Sequence, residues 1–283
     1  MDERFELEEN DYGLWLCLKS EWTDDLADYI HEHNIKGLSL HFWKGDNLSF
    51  LSQIYDLEML DIHDFRIKDI SPIHFLHNLK MMTLTTISKT KIDFTQFPQL
   101  EDCGLMWKAN SDSLFDCITL KRLYLDGYKS KDTDKFSKLV NLERLSILNS
   151  SIHNLWGLKR LSRLKKLVLG NLRVLESLKG IEELFNLEEL EVITCRSIGT
   201  IEEVRDLTKL RFLYIDNCGE IDNLEPLRNL NYLERFGFIE STNILDGDLS
   251  VLFELPRLEQ VAFQQRRHYS HKRDDFRANG IKA

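Results

Sequence analysis

The sequence predicts an α/β solenoid with a concave parallel β-sheet and 3₁₀ or short helical turns on its convex side. Three observations predict it. Apolar residues recur with a 22-residue period, complete once from Leu57 through Leu60, Ile62, Ile67, Ile70, Ile73 and Leu76 to Leu79. The same line returns from Leu142 through Leu145, Ile147, Ile152, Leu155, Leu158 and Leu161 to Leu164. The period covers most of the 283 residues, with only 4 prolines and no Gly/Ser-rich linker to interrupt it. A fixed period of this length marks a stack of like units, and such stacks present long surfaces rather than catalytic clefts.

Each unit opens on an apolar triplet spaced L-x-x-L-x-L. The triplets begin at Ile35, Leu57, Leu79, Leu100, Leu120, Leu142, Leu164, Leu187, Leu210, Leu233 and Leu258, giving eleven units 20 to 25 residues apart. The last two triplet residues lie two apart, as a short strand with one buried face requires. Beyond the triplet the spacing becomes three, as in Ile221, Leu224, Leu227, Leu230 and Leu233. That spacing fits a 3₁₀-like return better than a full α-helix.

One unit cannot stand alone, because its few buried side chains do not offset the entropy of ordering its backbone. Stacking closes the gap and leaves two open ends to cover. Residues 1–34 read as an N-terminal tail and cap, 35–263 as the solenoid and 264–283 as a polar closing element or tail. In the N-terminal part Leu14, Trp15, Leu16, Cys17 and Leu18 predict a strand. Thr23, Asp24 and Asp25 predict a helix start, with carboxylates near the positive end of its dipole. Leu26, Tyr29 and Ile30 then share one helical face.

Composition and charge narrow the class further. No apolar run reaches membrane-spanning length, and the acidic start, Met1 to Glu9, lacks the basic and apolar regions of a secretory signal. Five scattered cysteines do not form a disulfide framework, so a cytoplasmic location is the expectation. Cys195 and Cys218 each fall three residues after Val192 and Ile215, where an inward side chain can satisfy loop backbone groups; this reading outweighs reactive-thiol or metal chemistry. Elsewhere that position holds Phe65, Lys108, Tyr128, Ser150 and Leu172, so the usual asparagine ladder looks largely absent.

On the L-x-x-L-x-L and I-x-x-L-x-x-L-x-x-L strings, the chain resembles the leucine-rich repeat superfamily over about residues 35–263. The likeness is to the 22-residue class found in internalins and in a phosphatase-regulating subunit. It implies a horseshoe that binds another protein on its concave face. The chain is also similar to intracellular bacterial repeat proteins, a likeness that implies an immunity protein neutralising a toxin. Regulation of an enzyme such as a phosphatase is the alternative.

Strand side chains alternate, so residues flanking the inner triplet positions point away from the core. This assigns a partner-binding set of Asp61, His63, Arg122, Tyr124, Asp126, Arg144 and Lys166, continued by Glu189, Glu191, Phe212, Tyr214, Asp216 and Arg235, with Thr83 among them. Tyr and Arg are frequent interface anchors. Arg122, Arg144 and Lys166 on consecutive units, followed by Glu189 and Glu191, suggest a bipolar surface suited to a charged protein. An ordinary solvated sheet face is the competing reading.

Catalytic and cofactor chemistry finds little support. His268 and His271 lack a third ligand at metal spacing and read as part of a polar tail. Asp246-Gly247-Asp248 lacks the further carboxylates of a calcium loop and reads as a tight turn. No nucleotide-binding, nucleophile-elbow or zinc-protease motif occurs. A net charge of −10 opposes nucleic acid, despite basic runs at Lys159, Arg160, Arg163, Lys165 and Lys166 and at Arg266, Arg267, Lys272 and Arg273. The expected activity is therefore non-enzymatic protein recognition, with no cofactor, metal, nucleic acid or membrane.

Overall fold

The computed structural model describes residues 2–10, 12–107 and 111–283. Lys108 lies outside the described residues. The chain divides into two compact units, Met1–Leu125 and Asp126–Ala283.

The first unit begins with a hairpin of β1 (Phe5–Asn10) and β2 (Gly13–Leu18), followed by helix α1 (Asp25–Glu32). Strands β3 (Gly37–Leu40), β4 (Met59–His63), β5 (Met81–Thr85) and β6 (Asp102–Met106) come next. β7 (Arg122–Asp126) contains the point at which the chain divides. β1 is antiparallel to β2, and β2 through β6 pair in parallel in chain order. The register matches equivalent triplet residues, Leu38 to Leu60 to Met82 and Leu40 to Ile62 to Leu84. All six of these side chains are buried.

The second unit repeats the scheme with β8 (Arg144–Leu148), β9 (Lys166–Gly170), β10 (Glu189–Ile193) and β11 (Phe212–Asp216). It continues through β12 (Glu220–Ile221), β13 (Arg235–Phe238), β14 (Asn243–Ile244), β15 (Gln260–Phe263) and helix α2 (Arg273–Ala278). β8, β9, β10, β11, β13 and β15 pair in parallel, while β12 and β14 form a small separate ladder. The spacing of three becomes short 3₁₀ turns, such as Ser71–Phe75 in the first unit and Trp156–Arg160 in the second.

At the start of the chain the sequence reading changes in two respects. The predicted strand is present as β2, but it has a partner that the pattern did not reveal, since five of the six residues of β1 are exposed. The helix begins at Asp25 with Asp24 as its cap residue, and no side chain caps it. Thr23 Oγ1 instead accepts from Arg4 (2.9 Å), which also pairs with Asp25 (2.8 Å). Leu26 and Ile30 are buried, and Tyr29 stacks on His33.

Residues 264–283 fold back on β15. Phe276 of α2 is buried against Phe253 and Phe263. The Val261 amide donates to the Lys282 carbonyl (2.8 Å), and the Lys282 amide donates to that of Glu259 (2.9 Å). Backbone groups at the edge of β15 thereby gain partners.

The turn leaving each strand solves a recurring problem, because its amides and carbonyls are buried where water cannot reach them. Thr242 Oγ1 accepts from the Cys218 amide (3.0 Å) and donates to the Ile215 carbonyl (2.6 Å). Ser150 Oγ likewise accepts from the Tyr128 amide (3.0 Å) and donates to the Leu148 carbonyl (2.8 Å). Cys195 and Cys218 direct their thiols at carbonyls of Leu169 and Val192 in the preceding repeat. Burial pushes these two thiols up to about 11 and about 12, far from a reactive thiolate. The structural reading of this pair therefore holds.

Asparagines are present after all, one residue earlier than expected. Asn149, Asn171 and Asn217 have φ of 51°, 52° and 55°, the left-handed conformation that Asn tolerates. Asn149 donates to Asp126 (2.6 Å) and Asn171 donates to Asn149 (2.7 Å), so an outer ladder runs beside the inner one.

A third ladder precedes the strands. In the first unit the residue after each triplet start runs Lys36, Glu58, Lys80, Glu101 and Lys121, and in the second Glu143, Lys165, Glu188, Arg211, Glu234 and Glu259. Successive members are joined by backbone bonds of 2.7 to 2.9 Å. Ion pairs join Lys80 to Glu58 (2.6 Å), Lys121 to Glu101 (2.8 Å), Lys165 to Glu143 (2.9 Å) and Arg211 to Glu234 (2.8 Å).

Two tests follow from these ladders. Thr242→Val should leave the Cys218 amide and the Ile215 carbonyl unpaired and lower unfolding free energy by roughly 1–3 kcal/mol, measured by urea denaturation; an unchanged midpoint would show the bonds to be dispensable. Lys80→Glu places three like charges in succession and should lower Tm by about 2–4 °C, more at low ionic strength. Lys80→Gln, which removes the attraction without adding repulsion, should lower Tm by less, and equal losses in the two variants would remove charge alternation as the cause.

Candidate functional site

Alternation along each strand sends the triplet side chains inward and their neighbours outward. All thirteen residues of the assigned partner-binding set lie on strands and none is buried. Their environments differ widely.

In the first unit Asp61 and His63 stand on β4. Asp61 Oδ2 meets His41 Nε2 at 2.7 Å, and the His63 ring contacts those of His41 and Phe65. Loss of hydration pushes the Asp61 carboxyl above its usual range, against the opposing pull of His41 and His63. Arg122, expected to project freely, is held in place. Its Nε pairs with Asp102 (2.7 Å), and its guanidinium lies 4.9 Å from the ring centre of Tyr12. Tyr12, between the hairpin strands, also donates to Asp102 (2.7 Å). The tip of the hairpin therefore rests on the outward side of β6 and β7. Tyr124 is exposed.

In the second unit Asp126 accepts from Asn149, as described above. Lys166 is bridged to both Glu189 (2.8 Å) and Glu191 (2.7 Å), so the expected opposition between Lys166 and these acids is internally compensated. Among the described residues no ion pair involves Arg144 or Arg235, and both are exposed. Phe212 lies between two guanidinium groups, Arg211 at 5.1 Å and Arg235 at 5.4 Å. Tyr214 lies over Gly237, where an added Cβ would come within 2.7 Å of the ring. The glycine thus leaves the space in which the phenol ring lies against β13. Asp216 accepts from the Ile239 amide (3.1 Å).

The alternative sites take structural roles. His268 Nε2 donates to the Ile244 carbonyl (2.9 Å), and His271 contacts Ser270 (2.8 Å). Asp246 and Asp248 accept amides two residues ahead, and Gly247 has φ 71°, as a tight turn requires. Among the described residues no group of three or more His, Cys, Asp or Glu could hold a metal ion. None of the described helices is long and apolar enough to cross a membrane. In the basic run, Lys159 pairs with Glu183, Lys165 with Glu143 and Lys166 with two glutamates.

The repeat register, inner ladders and parallel sheets define a leucine-rich repeat solenoid, and its form is internalin-like. The sequence matches no protein-family signature and no curated protein. The structure is similar to an internalin, InlF, from Listeria monocytogenes, at 21% identity over 95% of this chain and 85% of that one, with a TM-score of 0.66. It is similar to the functional domain of InlJ from the same organism, described as including a cysteine ladder, at 17% identity. That match covers 85% of this chain and 50% of InlJ, with a TM-score of 0.59. It is also similar to the plant peptide hormone receptor RGFR1 in complex with RGF2, at 16% identity over 91% of this chain and 55% of the receptor, with a TM-score of 0.57.

The half-buried outward carboxylates carry a pH signature. Asp216 is pushed above the usual carboxylate range by loss of hydration, with Glu191 and Glu240 adding and the Ile239 amide opposing. Its ionised form therefore destabilises the fold above the folded-state pKa, and the penalty disappears below the ordinary Asp value of about 3.9. Asp216→Asn should raise Tm at pH 7, with the gain shrinking to nothing as pH falls below that value. A pH-independent gain, or a loss at pH 7, would contradict this assignment.

Proposed function

We propose that this chain is a non-enzymatic protein-recognition module whose outward strand face in the second unit binds a protein partner. The observation that carries the reading is the outward face from β8 to β13, with Arg144 on β8, Phe212 and Tyr214 on β11 and Arg235 on β13. Two aromatic rings lie on a rigid sheet, and two exposed arginines have no carboxylate partner among the described residues. Rigid aromatic groups and arginines give large contact area with directed hydrogen bonding, the usual composition of interface anchors. The internalin fold and the peptide-bound plant receptor support the same use of this architecture.

Masking a toxin, as an immunity protein does, is the form of recognition best suited to a broad face without a cleft. Regulation of an enzyme such as a phosphatase would use the same face. Five unpaired cysteines fit a reducing, cytoplasmic setting. The net charge of −10 favours a protein partner over nucleic acid.

Affinity capture from the native host, read by mass spectrometry, supplies the partner. Arg144→Glu and Arg235→Glu should each weaken the purified complex at least tenfold while Tm stays within about 2 °C of the parent, the small effect expected of exposed substitutions. Unchanged affinity in both variants would exclude this face. A captured toxin whose activity is blocked supports immunity, and a captured enzyme whose activity is modulated supports regulation.

A further inference from the structure

The first unit holds a hollow of about 330 Å³ between the β1–β2 hairpin and the outward side chains of β3 and β4. That volume lies at the small end of the ligand-binding range. Trp15 forms one wall: its indole lies over Gly37, where an added Cβ would be 2.5 Å from the ring, and its Nε1 donates to Asn10 (3.1 Å). Phe42, 81% exposed, stands at the mouth.

The charges inside are unequal. Glu6 is paired with Lys19, whereas Glu8 faces the hollow without a basic partner among the described residues. Asp61 gives one oxygen to His41, and its other oxygen, Oδ1, is buried and accepts no hydrogen bond. A buried acceptor without a donor is costly, and more so on a carboxylate. An anionic occupant would meet Glu8 and Asp61, and a purely apolar one would leave Glu8 without a counter-charge. A bare metal ion lacks a set of three ligating groups here.

We propose that this hollow receives one lysine or arginine side chain of the protein partner. Its N–H groups meet the Asp61 carboxylate at the wall of the hollow, Glu8 provides the second negative charge, and its methylene stem lies between the Trp15 and Phe42 rings. Charge-assisted donation to a carboxylate and contact of a cation with aromatic faces favour the same occupant. The assignment rests on the protein-recognition reading and adds a second anchor, in the first unit, with a defined chemistry.

The probes are acetylated and amidated Gly-Lys-Gly and the same peptide with norleucine in place of lysine. Both are titrated into the full chain while the Trp15 indole N–H is followed by NMR. The lysine peptide should shift that resonance saturably and the norleucine peptide should not. Asp61→Asn and Glu8→Gln should each weaken lysine-peptide binding at least fivefold, whereas Glu176→Gln, an exposed charge in the second unit, should have no effect. Glu8 is exposed, so Glu8→Gln remains informative even if Asp61→Asn alters folding. Equal binding of both peptides, or equal losses in all three variants, would overturn the proposal. With the captured partner, a loss of affinity in Arg144→Glu but not in Asp61→Asn would reject the hollow and leave the recognition reading standing. Lysine-specific binding in the hollow, combined with a partner insensitive to all these variants, would reject its use by that partner.

Discussion

Parallel pairing between equivalent residues of successive repeats is the constraint on which the other features of each unit depend. Side chains alternate along a strand with period two, so a one-residue slip would turn every triplet residue outward. The pairing of Leu167 with Leu190 and of Leu169 with Val192 shows the matched register. Once it is set, any residue type repeated at one position forms a column. Neighbouring strands lie about 4.8 Å apart, so members of a column touch. Thr242 reaches the Cys218 amide, Asn171 reaches Asn149, and Lys165 reaches Glu143, each through this spacing.

The sequence carried the features that repeat. Period, triplet register, 3₁₀ returns and the outward position of every assigned site residue follow from apolar spacing alone. Features that depend on one-off contacts did not. β1 escaped notice because its outward residues are mostly acids, with Phe5 its only buried side chain. Arg122 looked like a free anchor because its ties to Asp102 and Tyr12 span 20 and 110 positions, a separation that no local pattern records. The asparagine ladder was missed for a different reason. The inward position carries Ser150, Cys195 and Cys218, while the residue before each (Asn149, Thr194 and Asn217) supplies the left-handed turn, so two tasks expected of one residue are divided between neighbours.

Compensation also explains why the assigned set is uneven. Lys166 is neutralised by two glutamates from the adjoining strand, and Asp126 is bonded into the asparagine ladder. Such residues have already exchanged water for protein partners, and a binding partner would have to break those contacts. Arg144 and Arg235 remain hydrated, so a partner carboxylate replaces only water. A charge read from sequence is therefore a poor guide to binding until its neighbour in the next repeat is known.

The charged column preceding the strands makes the contrast sharper. Its members alternate in sign as far as Glu234, and only the last step, to Glu259, is of like sign; like charges stacked at strand spacing would repel, and alternation turns that repulsion into pairing. Each surface pair contributes little on its own, so the column chiefly avoids a penalty that repetition would otherwise multiply. The outward strand positions follow no such rule. Asp61 is succeeded by Thr83, and Arg144 by Lys166, two positive charges on adjacent strands. Stacking alone does not account for that juxtaposition, since a neutral or acidic residue at either position would relieve it. Lys166 is neutralised by Glu189 and Glu191, so Arg144 is the member of this pair whose charge has no acidic partner among the described residues.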